Sequence, residues 1–558
     1  MKLLSRRQFI DRIALTAGAV PILKHSYLFI DKMGHSGEKG EYVDAEITNG
    51  KIRGVRIEGV NICKGIPYAD KVSAEKRFLK PSPPEPWSGV REAMVLCAPA
   101  MQSPRLNEPA PSEDCLFLNV WTPANDNKKR PVMFYNHGGG YLIGSGGKSS
   151  QNGSSLARNF DVVVVETNHR LGIFGFLYLD EIAGPEYSGS GNLGLLDMAA
   201  GLRWVNENIS VFGGDPDNVM IFGESGGGGK TSCLYAMPSA APYFNKASIE
   251  SGPGVRMQNI ETARQTTDKV LKELNIAPKD WRKLLEVPAS DLLAIQKNFP
   301  MISPYLEKRN TGNTTETSPG GFGPVVDGVV LLSDPFDPVA PEISRNKPLM
   351  VGWNEDEYTF IAWEMKDSES FRINFDQLQS KLEPQFGKDT RTIISAYRKA
   401  RPNASAPDIL VAVSSMAMMG LGSVEIAERK ARQNGAPVYL YNLGYKSEVK
   451  IPGTDYPLGT PHAMDIRFKF YNEDIPKDES QPEAGFGGSR PERFTASRNM
   501  AELWTSFART GKPSAGGAPA WPDYNLKERS TMRIDTKCEV ISNRYSIELD
   551  MWRSVGKL

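Results

Sequence analysis

The sequence predicts an α/β fold in which a mostly parallel sheet carries helices on both faces. Three stretches point to it. DVVVVETN (161–168) is almost continuously apolar and β-branched, as expected of a central strand covered on both sides. LGLLDMAAGLRWVNENI (193–209) has helical periodicity and leads through Gly213-Gly214-Asp215-Pro216 into a second apolar run, NVMIF (218–222). That run opens onto FGESGGGGKTS (222–232), a glycine-rich turn, and TSCLYAM (231–237) is able to continue it as a helix. Strand, helix, strand and helix in succession is the order of a parallel sheet with crossover helices.

The elements follow in chain order. MKLLSRRQFIDRIALTAGAVPIL places Arg6-Arg7 before a short apolar stretch, which resembles a bacterial twin-arginine export signal. Residues 1–40 are therefore expected to be a signal and flexible lead. The twin-arginine machinery is the expected partner and the periplasm or exterior the destination, with a membrane tether if the segment stays uncleaved. Residues 41–558 are expected to form a single domain. EYVDAEITNGKIRGVRIEGVNI (41–62) alternates apolar and polar residues around Asn49-Gly50, a hairpin pattern. PVMFYN (131–136), KPLMVGWN (347–354) and APVYLYNL (436–443) read as further buried strands. Helical patterns fall around 262–297, 367–400 and 421–434, and two Gly/Pro/polar stretches, 303–323 and 472–493, read as loops.

Composition excludes several classes. Lys+Arg and Asp+Glu both total 66, so the 558-residue chain has a formal charge of zero and no basic surface for nucleic acid. The sequence shows no internal repeat, no uninterrupted apolar run of bilayer length and no Cys/His spacing of a zinc site, so no metal is expected. Five cysteines allow at most two bridges. Cys97 and Cys115 flank a Pro-rich stretch, and a bridge there would contribute about 3 kcal/mol by closing its loop.

The glycine-rich turn admits two chemistries. A phosphate loop, G-x-x-x-x-G-K-[ST], would need glycine at position 224, where Glu224 stands. Gly223-Glu224-Ser225-Gly226-Gly227 instead fits G-x-S-x-G, a strained strand-to-helix turn that lifts a serine hydroxyl clear of the backbone. A serine needs a base, and imidazole suits that task near neutral pH. Of five histidines, His25 and His35 lie in or near the export segment. His137 opens an H-G-G-G loop of the kind that donates backbone N–H groups to an oxyanion, and His169 follows the Val-rich strand. Elimination favours His462, in the downstream turn GTPHAMD. The acid should lie between 225 and 462 after a strand, and Glu355-Asp356-Glu357 meets both conditions. Composition does not choose among the three, and Asp327 in PVVDG is a weaker candidate.

SEDCLFLNVWTP (112–123), NHGGGYLIGSG (136–146), NHRLGIFGF (168–176) and the long block 191–227 together resemble the type B carboxylesterase family, which includes the cholinesterases. FGPVVDG (322–328), NEDEYTF (354–360), PHAMDIRF (461–468) and LWTSFARTGKP (503–513) are similar in kind and in order, so the resemblance covers roughly residues 45–550. It implies an α/β-hydrolase fold and a serine ester hydrolase that takes a small-molecule ester and needs no cofactor. Amide or lactone cleavage by the same residues is the alternative, and a nucleophile-free binding relative the remote one. Ser225 would be the nucleophile, Glu357 the acid, His462 the base, and Gly139, Gly140 and Gly226 the oxyanion donors. Cys97 and Cys115 match a family disulfide, and Ser251 a serine that supports the acid. Tyr358 departs from the pattern where a small residue usually follows the acid, and Met198 replaces a common glutamine. The Cys97–Cys115 loop is short and holds no tryptophan, so a cholinesterase-like site for quaternary ammonium is not expected.

Overall fold

The chain winds around one 13-stranded mixed sheet. The structure, a computed structural model, describes residues 40–299, 321–474 and 485–558. The export-signal reading, and the parts of the two predicted loops at 303–320 and 475–484, lie outside those residues.

At the N-terminal edge, β1 (Glu41–Ile47), β2 (Gly50–Ile57) and β3 (Val60–Pro67) form a meander turning at Asn49-Gly50, with the short β4 (Val90–Glu92) alongside β2. The sheet continues through β5 (Phe117–Thr122), β6 (Arg130–Asn136), β7 (Val163–Thr167), β8 (Gly214–Glu224), β9 (Lys246–Glu250), β10 (Leu349–Asn354) and β11 (Val438–Leu443). Strands β12 (Ser447–Lys450) and β13 (Pro457–Gly459) make a separate hairpin, and β14 (Thr531–Ile534) and β15 (Glu539–Ile541) close the far edge. Spatial order in the centre is β5-β7-β6-β8-β9-β10-β11, and every pair from β7 to β11 is parallel.

Why these strands take the centre is visible in their side chains. Val163 and Val165 enter the core on one face, Val164 the core on the other; Phe134 and its neighbours Met133 and Tyr135 divide the same way. Period-two alternation with apolar residues on both sides leaves no face for water. Helices α1 (Leu193–Asn208) and α2 (Gly226–Ala236) flank β8, and α1 buries Met198 completely. The helix Ala406–Arg432 is long and apolar enough to cross a bilayer by length and composition, yet 89% of its apolar window is buried inside the domain. It is a core helix, packed against β10 and β11. Residues Tyr42–Leu558 gather into one compact unit.

One expectation is corrected here. Cys97 and Cys115 are not bridged; all five cysteines carry free thiols. Cys97 Sγ turns to the Gly65 carbonyl, 3.7 Å away. Cys115 is fully buried beside the Arg170–Asp197 ion pair, where burial pushes its thiol up. The backbone closes the loop instead, with Ser112 N–H donating to Pro99 O at 2.9 Å.

Candidate active site

Parallel strands deliver their loops to one edge, and the carboxyl ends of β6, β8 and β10 meet there. Strand β8 ends at Glu224 and α2 begins at Gly226, so Ser225 occupies the turn between them at φ 58°, ψ −125°. The strain is held by Ser225 N–H donating to Glu250 O (2.9 Å) and by Gly229 N–H donating back to Ser225 O (3.1 Å). Glycines after the serine are needed because the backbones nearly touch: a Cβ on Gly226 would lie 2.2 Å from Gly140 O, and one on Gly227 2.0 Å from Asn136 O.

His462, on the loop after β13, places Nε2 2.8 Å from Ser225 Oγ and Nδ1 2.6 Å from Glu357 Oε2. That pattern is satisfied when Nδ1–H donates to the carboxylate and Nε2 accepts from the hydroxyl. Glu357 is fully buried, and its other oxygen accepts from Ser251 O–H (2.6 Å) and Asn354 N–H (2.7 Å). The structure thus brings Ser225, His462, Glu357 and Ser251 into one hydrogen-bonded chain.

The two neighbouring carboxylates face elsewhere. Glu355 pairs with Arg533 (2.8 Å), Lys446 (2.8 Å) and Arg544. Burial opposes its charge, but Lys446, Arg544 and Arg533 hold its carboxyl down at about 2. Asp356 binds Lys446 (2.6 Å) and accepts from Thr460 N–H (2.8 Å). Asp327 caps its own turn, accepting from the N–H groups of Val329, Val330 and Leu331. Tyr358 fits at the start of a short helix, its N–H donating to Ser415 Oγ at 3.1 Å.

On the other side of Ser225 the loop after β6 carries Gly139 and Gly140 at φ +88° and +62°. Among the described residues no acceptor takes the N–H of either, and Gly226 N–H, first in α2, has no intrahelical partner. His169 is fully buried and stacked on His137, ring centroids 4.4 Å apart and 18° from parallel; neither imidazole reaches Ser225 by a hydrogen bond. No group of three His, Cys, Asp or Glu side chains suited to a metal occurs among the described residues.

Sequence reasoning missed a buried charge network beneath the imidazole. Glu224 Oε1 lies 3.3 Å from His462 Nε2, and burial pushes its carboxyl up. Lys469, fully buried, pairs with Glu250 (2.6 Å) and Asp465 (2.7 Å). Asn354 ties the acid strand to the histidine loop through Pro461 O (2.8 Å). Burial opposes charge on His462, but Glu224 and Glu357 outweigh it and raise the imidazole above its ordinary value. The only hint in the sequence was the density of charge in PHAMDIRFKF, on a segment flanked by apolar residues.

Comparison with known proteins identifies the family. The model of the carboxylesterase family matches residues 41–552. The para-nitrobenzyl esterase of Bacillus subtilis (strain 168) is 34% identical over 499 residues, 88% of this chain and 94% of that protein. Liver carboxylesterase 1F of Rattus norvegicus is 32% identical over 519 residues, covering 87% and 88%. A crystal structure of a carboxylesterase from Geobacillus stearothermophilus superposes with a TM-score of 0.77 at 35% identity, covering 91% of this chain and 99% of that one. The fold is the α/β-hydrolase fold, and the chain belongs to the carboxylesterase family, whose members hydrolyse carboxylic esters.

Proposed function

We propose that this carboxylic ester hydrolase works through an acyl-enzyme on Ser225, with His462 as base and then acid and Glu357 as the orienting carboxylate. The observation that carries the reading is the unbroken chain Ser225 Oγ, His462, Glu357, with links of 2.8 and 2.6 Å. His462 Nε2 takes the hydroxyl proton as Oγ bonds to the ester carbonyl carbon. The carbonyl π electrons move onto oxygen, which the N–H groups of Gly139, Gly140 and Gly226 receive. Collapse breaks the bond to the alcohol oxygen, which takes the proton from His462. A water then repeats the sequence and releases the acid. Glu357 stabilises the imidazolium and, held by Ser251 and Asn354, fixes the ring's tautomer.

The test is hydrolysis of p-nitrophenyl esters from acetate to octanoate by the native protein and by Ser225→Ala. The serine variant should lose about 10⁶ in kcat. Residual activity within a hundredfold of native would move the chemistry to another residue. Chain-length preference would report the depth of the acyl pocket.

The N-terminal Ser5-Arg6-Arg7-Gln8-Phe9-Ile10 supports a second part of the reading: an exported enzyme, periplasmic or tethered outside the cytoplasm, acting on esters the cell meets there. Replacing both arginines with lysine should leave the full-length protein in the cytoplasmic fraction of a bacterial host. Export unaffected by that change would remove this part and leave the chemistry standing.

A further inference from the structure

Lys230, one turn into α2, is an unusual residue to find where it is. It is fully buried, and its side chain's only hydrogen bond among the described residues runs from Nζ to His137 O, at 3.0 Å. No carboxylate pairs with it among those residues, and burial alone lowers its ammonium to about 7. A buried cation without a counter-charge disfavours the folded state, and an apolar side chain of the same length would fill the space at less cost. Packing therefore does not account for it.

Its position suggests what does. His137 is the residue before Gly138-Gly139-Gly140, and its ring is wedged between His169 on one face and the Gly144 backbone, where an added Cβ would fall 2.3 Å from Nδ1. One residue earlier, Asn136 Nδ2 donates to Thr231 Oγ1 at 2.9 Å. Two consecutive residues at the root of the glycine loop are thus pinned to two consecutive residues of α2. That helix also begins with Gly226, so its register sets one oxyanion donor, and the pins set the loop bearing the other two.

We propose that Lys230 is a positioning residue for the oxyanion loop: by holding the His137 carbonyl, it aligns the Gly139 and Gly140 N–H groups with that of Gly226. The inference rests on Ser225 being the nucleophile. Such preorganised donors act on the transition state and leave ground-state binding nearly untouched.

The experiment compares the native enzyme with Lys230→Met, which keeps the volume and removes the donor, and Lys230→Gln, whose amide N–H can still donate. Three quantities are read: kcat and KM on the best p-nitrophenyl ester, inhibition by a trifluoromethyl ketone of matching chain length, and the thermal midpoint. The methionine variant should lose about 10- to 100-fold in kcat, a fraction of what one lost donor costs, with KM within about twofold. Ketone affinity should fall by the same factor as kcat/KM, while the thermal midpoint holds or rises. Glutamine should recover part of both losses. Native kcat in Lys230→Met, or a reduced kcat with undiminished ketone affinity, overturns the proposal. If Lys230→Met does not fold, Lys230→Gln decides, since losing ketone affinity with the donor retained also overturns it. The Ser225→Ala control keeps the two questions apart, because an active serine variant would sink the nucleophile assignment whatever position 230 does.

Discussion

The two flanks of Ser225 are built from opposite kinds of side chain, acids on one and nitrogen bases on the other. On the imidazole flank, Glu224, Glu250, Glu357 and Asp465 are all buried, with Lys469 as the buried cation among them. On the oxyanion flank stand Lys230, His137 and His169, and no carboxylate pairs with Lys230 among the described residues. Burial lowers both of those imidazoles well below their ordinary value and the Lys230 ammonium to about 7, so this flank holds donors and no buried anion. Ester attack separates charge in the same sense, cation onto His462 and anion onto the carbonyl oxygen. Donors fixed on the oxyanion flank and carboxylates fixed on the imidazole flank need little reorganisation when the reaction occurs. Fixed buried charges disfavour the folded state, so the arrangement trades stability for rate.

The largest break in this comparison is expected from Glu357→Gln. With Ser251 and Asn354 still donating to the amide oxygen, the amide NH₂ faces His462 Nδ1 and forces the proton onto Nε2. The ring then presents a donor to Ser225 and is unable to accept its proton. Steady-state kinetics should show kcat down about 10⁴ in a folded enzyme. A loss under tenfold would mean that the productive tautomer of His462 does not depend on Glu357. The opposite flank is broken next by Gly139→Ala. Its Cβ would fall 2.3 Å from Ile143 O at a φ of +88°, so the loop must shift and carry its N–H with it. The expected loss in kcat is about 10²–10³. A near-native rate would leave Gly140 and Gly226 as sufficient donors.

How much of this was legible depends on what each residue's role rests on. The elbow at Ser225 and the buried strands were readable because spacing and period encode them directly: G-x-S-x-G at a strand end, continuous valine in β7. The position of His462 followed from there being so few histidines. The choice among Glu355, Asp356 and Glu357 was not readable from local chemistry. The three differ only in direction at the end of β10: toward Arg533 and Arg544, toward Thr460 N, or into the site. Direction is set by strands and loops distant in sequence. Lys230 was visible only as part of a phosphate-loop pattern that failed by one residue. Glu224 was visible only as the residue that made it fail. Both matter through burial, which a glycine-rich stretch conceals. The cysteine spacing misled for a related reason: 18 positions permit a bridge, but the Cys97 thiol turns to Gly65 O while Cys115 enters the core.

The smallest change that still sharpens the comparison is Glu224→Gln. Glu224 stabilises the imidazolium, so it holds the His462 pKa up, together with Glu357 and, more weakly, Asp465. Lys469 Nζ pairs with Asp465 and Glu250 and tempers that potential. The base must be neutral to accept the serine proton, so kcat/KM rises with pH through the His462 pKa. Removing one negative charge makes the imidazolium less stable and lowers that pKa. The acid limb of the profile should therefore move to lower pH, with the alkaline plateau little changed because the hydrogen bonds to Ser225 and Glu357 remain. The measurement is kcat/KM on one p-nitrophenyl ester across the limb, native against variant. An unmoved limb would mean that Glu224, whose carboxyl burial pushes up, is already protonated where His462 titrates. The negative field of the imidazole flank would then come from Glu357 and Asp465, and the polarity across Ser225 would rest on one carboxylate fewer.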